Sequence, residues 1–274
     1  VSTPPVAPFD ADDADDADAD DAADDAGAGL SAAALAVRAR LHVTDRPLDA
    51  YGMPDLNPYL KLHRDYGPPV VTAAEAVARR SDWSAAFGRS APLHLEVGPG
   101  NGFFLSGMAR MHPEWNWLGV EIRFKRVILC AKKIRALGVE NARVARYDAF
   151  LLDDLIAPGT LDGLYVHHPD PWSRERDEKH RLIGPHFLSW AAAALRPGAR
   201  FRVKTDHLPH VERLLAVLDA LPGAPFRVLG RSDDIVRDGT PWPLADDVET
   251  NYQRKFRQRG LPVYAVWMER VPGM

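Results

Sequence analysis

The chain has 274 residues, 46% of them apolar, enough to bury one substantial core in one main domain. Its formal charge of -4 is unevenly spread: residues 1–30 hold ten aspartates and no lysine or arginine, which leaves 34 basic against 28 acidic side chains over residues 31–274, a balance that fits a polyanionic partner. The single cysteine, Cys130, excludes an intrachain disulfide, no run reaches the ~18 apolar residues of a membrane helix, and no basic-then-apolar leader opens the sequence, so a cytoplasmic protein is expected.

Residues 1–30 include "FDADDADDADADDAADDAGAG", which is low in complexity, lacks apolar periodicity and repels itself. Such a segment cannot repay the entropy of ordering, and a disordered acidic tail is expected. An extension over residues 31–90 follows. It opens on a short helical pattern, "LSAAALAVRARLHV", and passes through an irregular arm, "RPLDAYGMPDLNPYLKLHRDYGPP", punctuated by Pro, Gly and Asp. It closes on "TAAEAVARRSDWSAAFG", a predicted helix with Thr72 as N-cap and Glu75 completing a capping box.

From residue 91 to 274 strand and helix alternate. Strands are predicted at 93–98, 116–122, 142–148, 161–168 and 200–206, with the helices "FFLSGMARMH", "KRVILCAKKIRALG", "AFLLDDLI" and "GPHFLSWAAAALRPG" between them. A helix "HVERLLAVLDAL", a strand "FRVLGR" and a last strand "VYAVWMERV" complete the set. Alternation of this kind predicts βαβ units and a mostly parallel, Rossmann-like α/β sheet covered on both faces.

The first predicted strand runs into "EVGPGNG", where Gly98, Gly100 and Gly102 stand at a tight turn from strand to helix. Glycines there let the backbone approach a ligand and set a helix N-terminus against it, so a nucleotide-like cofactor is expected. A dinucleotide fingerprint needs Gly or Ala at the sixth position from Gly98; Phe103 stands there and argues against NAD. The next strand ends at Glu121, placed to accept both hydroxyls of an adenosine ribose, and the third at Asp148, placed to meet the adenine. Either acid could instead cap a helix. Glycine loop, acid and acid in this order resemble S-adenosylmethionine-dependent methyltransferases. Glu96 is then expected beside the loop, toward the amino end of the methionine moiety, or else holding the loop's amides.

The fourth predicted strand ends in "HHPDPW", where two prolines stiffen the chain around Asp170. Ligands of open parallel sheets bind beyond the strands' carboxyl ends, so this loop is expected beside the cofactor's methyl group. "PDPWSRERDEKHRL", with "EVGPGNG", "VEIR", "KTD" and "ETNYQRKF", resembles the bacterial tRNA (guanine-N7)-methyltransferase family over about residues 90–271. That resemblance implies a class I S-adenosylmethionine-dependent fold, with a mostly parallel seven-stranded sheet whose last strand is antiparallel. It implies methyl transfer to N7 of the guanine at position 46 of the tRNA variable loop, with S-adenosylmethionine as cofactor and tRNA as partner. Cofactor contacts carry over to Glu96, Glu121, Asp148 and Asp170, the last also the catalytic residue beside the target base. Substrate contacts carry over to Arg174, Asp206, Thr250, Asn251, Tyr252 and Gln253.

The sequence departs from that family at several of these places. Arg174 replaces a lysine, His168 an aromatic or small residue, and Gln253 a glutamate, while Asp177 and Glu178 interrupt the basic run of Arg174, Arg176, Lys179 and Arg181. Arg254, Lys255, Arg257 and Arg259 form a second cationic run suited to phosphates. His167 and His168, adjacent on a strand, point to opposite faces and complete no metal shell. Two alternatives stay open: a methyltransferase for a different RNA site or a small molecule, and a non-catalytic RNA-binding protein. No feature asks for an obligate protein partner, which leaves a monomer or a homodimer.

Overall fold

A computed structural model of the protein describes residues 58–170, 180–235, 237 and 247–272. The predicted acidic tail, the predicted helix at 30–43 and the segment from Pro171 to Lys179, Arg174 included, lie outside the described residues. In chain order the elements are α1 (Pro58–Asp65), β1 (Val70–Val71), α2 (Ala73–Ala78), α3 (Ser84–Phe87), β2 (Leu93–Val97), α4 (Phe103–Met111), β3 (Asn116–Glu121), α5 (Phe124–Ala136), β4 (Ala142–Arg146), a 3-10 turn (Ala149–Asp154), β5 (Leu161–His167), α6 (Pro185–Ala194), β6 (Leu195–Thr205), α7 (Leu208–Ala220), β7 (Phe226–Ser232), α8 (Asn251–Gln258) and β8 (Tyr264–Arg270).

The strands form one sheet in the order β1-β4-β3-β2-β5-β6-β8-β7. β8 runs antiparallel to both β6 and β7, while the pairings from β1 through β6 are parallel. All seven predicted strands are therefore present, with the last one antiparallel. An eighth, β1, is two residues long, paired by Val70 and Val71 to Val144 and Ala145. Its shortness and the two prolines before it hid it at the end of the segment that reads as irregular arm.

β2 is buried at all five positions because helices cover both sides of the sheet. On one face Leu95, Val166 and Phe201 join Trp83, Phe87, Phe187 and Leu214 from α3, α6 and α7 and the turn before α3. On the other, Trp117, Val144 and Tyr165 pack with Phe104, Met108, Ile128 and Ile134 of α4 and α5. No helix among the described residues is long and apolar enough to cross a membrane.

Several predicted elements differ, among them the helix expected over "AFLLDDLI", which is the 3-10 turn. The helix expected over "TAAEAVARRSDWSAAFG" does start with the Thr72–Glu75 capping box, but it is broken into α2 and α3. The Asp82 carboxylate accepts from the Ser84 N–H at 2.8 Å, an Asx turn just before Trp83, the N-cap of α3. Part of the expected irregular arm is helix α1, held on α5: Arg135 donates to the Tyr66 carbonyl at 2.7 Å and its guanidinium lies over the Tyr66 ring.

Sheet order fixes where chemistry can occur. Connections lead from β2 through β3 to β4 on one side, then cross to β5 on the other. The switch falls between β2 and β5, which pair directly from His94–Gly163 to Val97–Val166. The glycine loop leaving β2 and the residues from His168 to Asp170 leaving β5 thus emerge side by side.

Candidate active site

Gly98, Gly100 and Gly102 all have positive φ, 72°, 54° and 77°. A side chain on Gly98 or Gly100 would meet nothing within 4 Å, so the backbone there faces open space. Gly102 differs. An added Cβ would lie 2.6 Å from the Cys130 Sγ and 2.9 Å from its Cα, so this glycine lets α4 close on α5. Gly102→Ala combines that clash with a left-handed conformation and should cost about 3 kcal/mol in urea unfolding. Adding Cys130→Ala removes the sulfur but leaves the Cα, so only part of the loss should return.

Glu121, at the end of β3, accepts from the Gly100 N–H at 3.2 Å and from the Arg123 N–H at 3.0 Å. Each oxygen is engaged by one of these and the Ile122 N–H adds a third backbone hydrogen bond, so part of the carboxylate's acceptor capacity is left for a hydroxyl donor. Burial raises its pKa above the ordinary value, with the Arg123, Gly100 and Ile122 amides and the Arg123 charge pulling it back. Asp148 caps the 3-10 turn by accepting from the Phe150 N–H at 2.9 Å, the helix-capping alternative named above. Ile122 and Phe150, which follow these two acids, are large apolar side chains left exposed. Open backbone, a carboxylate at the end of β3 and two exposed apolar side chains fit an adenosine-type cofactor. A cavity of roughly 420 Å³ borders the same turn on the α6 and α7 side, lined by Phe150, Phe187 and Trp190.

Glu96 does not hold the loop amides. It is 2% exposed and sits 3.0 Å from Nδ1 of His167, on the face of the sheet covered by α4. His167 is in register with Lys204 of β6, and Lys204 in turn reaches across to the segment before α8. The fully buried Lys204 ammonium donates to the Asp247 carboxylate at 2.6 Å, the Gln253 side-chain oxygen at 3.1 Å and the Val248 carbonyl at 3.3 Å. Gln253, expected as a substrate contact, is 6% exposed and points inward at this cation.

Burial pushes the Glu96 carboxyl up to about 8 from its ordinary 4.5, with Lys204 opposing. Burial also holds His167 well below its usual range. Between those two values of Glu96 the unfolded chain binds fewer protons than the folded one, so stability falls as pH rises from 4.5 to about 8 and then levels off. Glu96→Gln keeps the shape without titrating. Urea unfolding should show the wild type losing stability relative to this variant between about pH 5 and about pH 8.

Asp170 is exposed beyond β5, between Pro169 and Pro171. Asp206, at the end of β6, is partly exposed and held below the ordinary carboxylate range chiefly by a hydrogen bond from His168, against the effect of burial. Thr250 caps α8, its hydroxyl accepting from the Gln253 N–H at 2.9 Å. Asn251 accepts from Arg254 within the same helix at 2.9 Å, and Tyr252 is 53% exposed. Arg257 pairs with Glu249 at 3.2 Å. No group of three or more His, Cys, Asp or Glu able to hold a metal occurs among the described residues.

His168 was not anticipated as a site residue, yet it joins three that were. Its Nδ1 lies 3.2 Å from Asp206 and its Nε2 3.2 Å from the Thr250 hydroxyl. Its ring stacks on Tyr252 at 5.4 Å. The only sequence signal was its departure from an aromatic or small residue ahead of Pro169.

The model of a family described as "Putative methyltransferase" matches residues 90–266. A tRNA (guanine-N(7)-)-methyltransferase from Acidovorax sp. (strain JS42) is 38% identical over 174 residues, 63% of this chain and 64% of that protein, so the chain spans just under two thirds of that relative. One of the same name from Bacillus subtilis (strain 168) is 32% identical over 191 residues, 69% of this chain and 86% of the other. Among solved structures, the 16S rRNA methyltransferase KamB superposes with a TM-score of 0.50 at 19% identity, over 70% of this chain and 94% of that one, which shows the shared fold. With the matched region containing the glycine loop, Glu121, Asp148, the Pro-Asp-Pro loop and Asp206, the chain belongs to the tRNA (guanine-N7)-methyltransferase family of class I methyltransferases.

Proposed function

We propose that the protein transfers a methyl group from S-adenosylmethionine to N7 of the guanine at position 46 of the tRNA variable loop, in the cytoplasm. The observation that carries this is the meeting, at the β2–β5 switch, of an open glycine loop tied to Glu121 with the Pro-Asp-Pro loop. Relatives that share this region are named tRNA (guanine-N(7)-)-methyltransferase, which supports guanine N7 of tRNA as the acceptor. No obligate protein partner is part of the proposal, which leaves a monomer or a homodimer.

S-adenosylmethionine, when bound, supplies an electrophilic methyl on a sulfonium. Gly98, Gly100, Glu121 and Asp148 would hold it, with Ile122 and Phe150 against its adenine. Guanine N7 carries an in-plane lone pair and needs no general base. Rate then comes from holding nitrogen, methyl and sulfur in line, and orientation of this kind supplies up to about 7–11 kcal/mol in favourable systems. A proline on each side of Asp170 suits that task. Asp170 also faces a purine that turns cationic as the methyl arrives, and a fixed carboxylate stabilises such developing charge. Asp206, held ionised, can accept from guanine N1–H and N2–H, a donor pair that adenine lacks.

RNA would be gripped mainly through phosphates, with Arg254, Lys255, Arg257 and Arg259 on and just after α8 and Arg174 as candidates. Gln253 faces inward at Lys204, which supports reading the charge it lacks relative to glutamate as part of that buried cluster and not of a base-reading surface.

The test is methylation of tRNA lacking 7-methylguanosine, followed by nucleoside analysis. Label in 7-methylguanosine is expected. Label in another nucleoside would favour a different RNA site, and no label in any tRNA would refute the proposal.

A further inference from the structure

We propose that His168 is a positioning residue for the target guanine: it orients the Asp206 carboxylate and the Tyr252 ring from the end of β5. This role presupposes the guanine-N7 chemistry proposed above.

Four contacts converge on it. Its backbone N–H continues the sheet by donating to the Lys204 carbonyl at 2.8 Å, which anchors it between β5 and β6. Nδ1 meets Asp206 at 3.2 Å, and because that carboxylate is ionised, Nδ1–H donates. The Thr250 hydroxyl accepts from the Gln253 N–H, which leaves its own proton for Nε2 at 3.2 Å. The ring also packs against two side chains one turn apart on α8, with centroids 5.4 Å from Tyr252 and 6.1 Å from Phe256 and interplanar angles of 26° and 9°.

A packing role alone would not require these features. The φ of His168 is +48°, a conformation uncommon outside glycine and asparagine, so the site keeps a strained residue where a glycine would relax the backbone. Stacking alone would be served by phenylalanine, which has no ring nitrogens. Both nitrogens are used, and the groups they reach lie 38 and 82 residues away, just past β6 and at the cap of α8. The Asp206 carboxylate also accepts from its own backbone N–H, and of its four lone pairs two remain, enough to receive two guanine donors once the carboxylate plane is fixed. Tyr252, half exposed and backed by the imidazole, presents a ring on which a base can stack.

Two variants separate positioning from packing. His168→Phe keeps the stack and loses both hydrogen bonds. His168→Asn loses the stack, retains a donor for Asp206 and tolerates positive φ. Positioning predicts that kcat on tRNA falls about 10- to 100-fold in His168→Phe and less in His168→Asn, with the dissociation constants for S-adenosylmethionine and tRNA changed less than about threefold. Packing predicts the reverse order. Because His168 acts through Asp206, His168→Phe should change kcat by no more than about twofold in an Asp206→Ala background, against its full effect in the wild type. Additive losses, or a phenylalanine variant more active than the asparagine one, would overturn the assignment. Should the phenylalanine variant not fold, an asparagine variant within about tenfold of wild-type kcat supports it and a loss beyond about 100-fold refutes it. A wild type that methylates no guanine N7 would instead refute the function proposed above, and is seen before any variant is compared.

Discussion

Lys204→Met should be the most destabilising single substitution at the site, costing about 3–5 kcal/mol in urea unfolding, because it leaves a buried charge without its partner. Asp247, whose side chain is 4% exposed, would lose its 2.6 Å partner, and the Gln253 oxygen would lose its donor. Glu96, whose carboxyl Lys204 holds down against burial, would move further toward its protonated form. The loss should not be the loss of packing, since methionine fills nearly the same volume. Lys204→Met combined with Asp247→Asn removes both charges and should recover a substantial part of the stability; equal instability of single and double variants would show that Asp247 is not the cause. The same cluster gives Gln253 a physical rationale. A glutamate there would add a second carboxylate beside Asp247, whereas glutamine supplies the acceptor without the charge.

The largest effect on activity is expected at Asp170. Asp170→Ala should fold normally, since the side chain is exposed, and should retain S-adenosylmethionine and tRNA binding. Methyl transfer should fall about 100-fold or more in kcat, the scale seen when one preorganised electrostatic partner of a transition state is removed. Near-normal kcat would detach Asp170 from the reacting atoms. A large rise in KM with kcat unchanged would make it a binding residue only.

Much of this site was legible because strand-end chemistry is local. Glu121 and Asp148 could be found from their place after alternating apolar runs, and both stand at the C-terminal edge of the sheet. Gly98 and Gly100 likewise follow from the strand-to-helix turn. Gly102 was harder, since its function depends on Cys130, a residue on the next helix that sequence spacing does not pair with it. Side-chain direction escaped more completely. Glu96 and Gln253 both turn into one buried cluster because β2, β5 and β6 bring positions 96, 167 and 204 onto one face, a register that pattern alone does not set. His168 was hidden for a related reason, because its positive φ and its bonds to β6 and α8 exist only after the sheet is assembled. The break between α2 and α3 was missed because Asp82 makes an Asx turn inside an otherwise continuous helical pattern.

The most direct measurement replaces a single atom of the substrate. A tRNA carrying 7-deazaguanosine at position 46 keeps the N1 and N2 donors and the backbone but has carbon where N7 stands. With this protein and labelled S-adenosylmethionine, it should bind as the unmodified tRNA does and accept no methyl group, while the guanosine-containing control is labelled. Label transferred to the 7-deaza tRNA at the same rate as to the control would contradict guanine N7 as the acceptor.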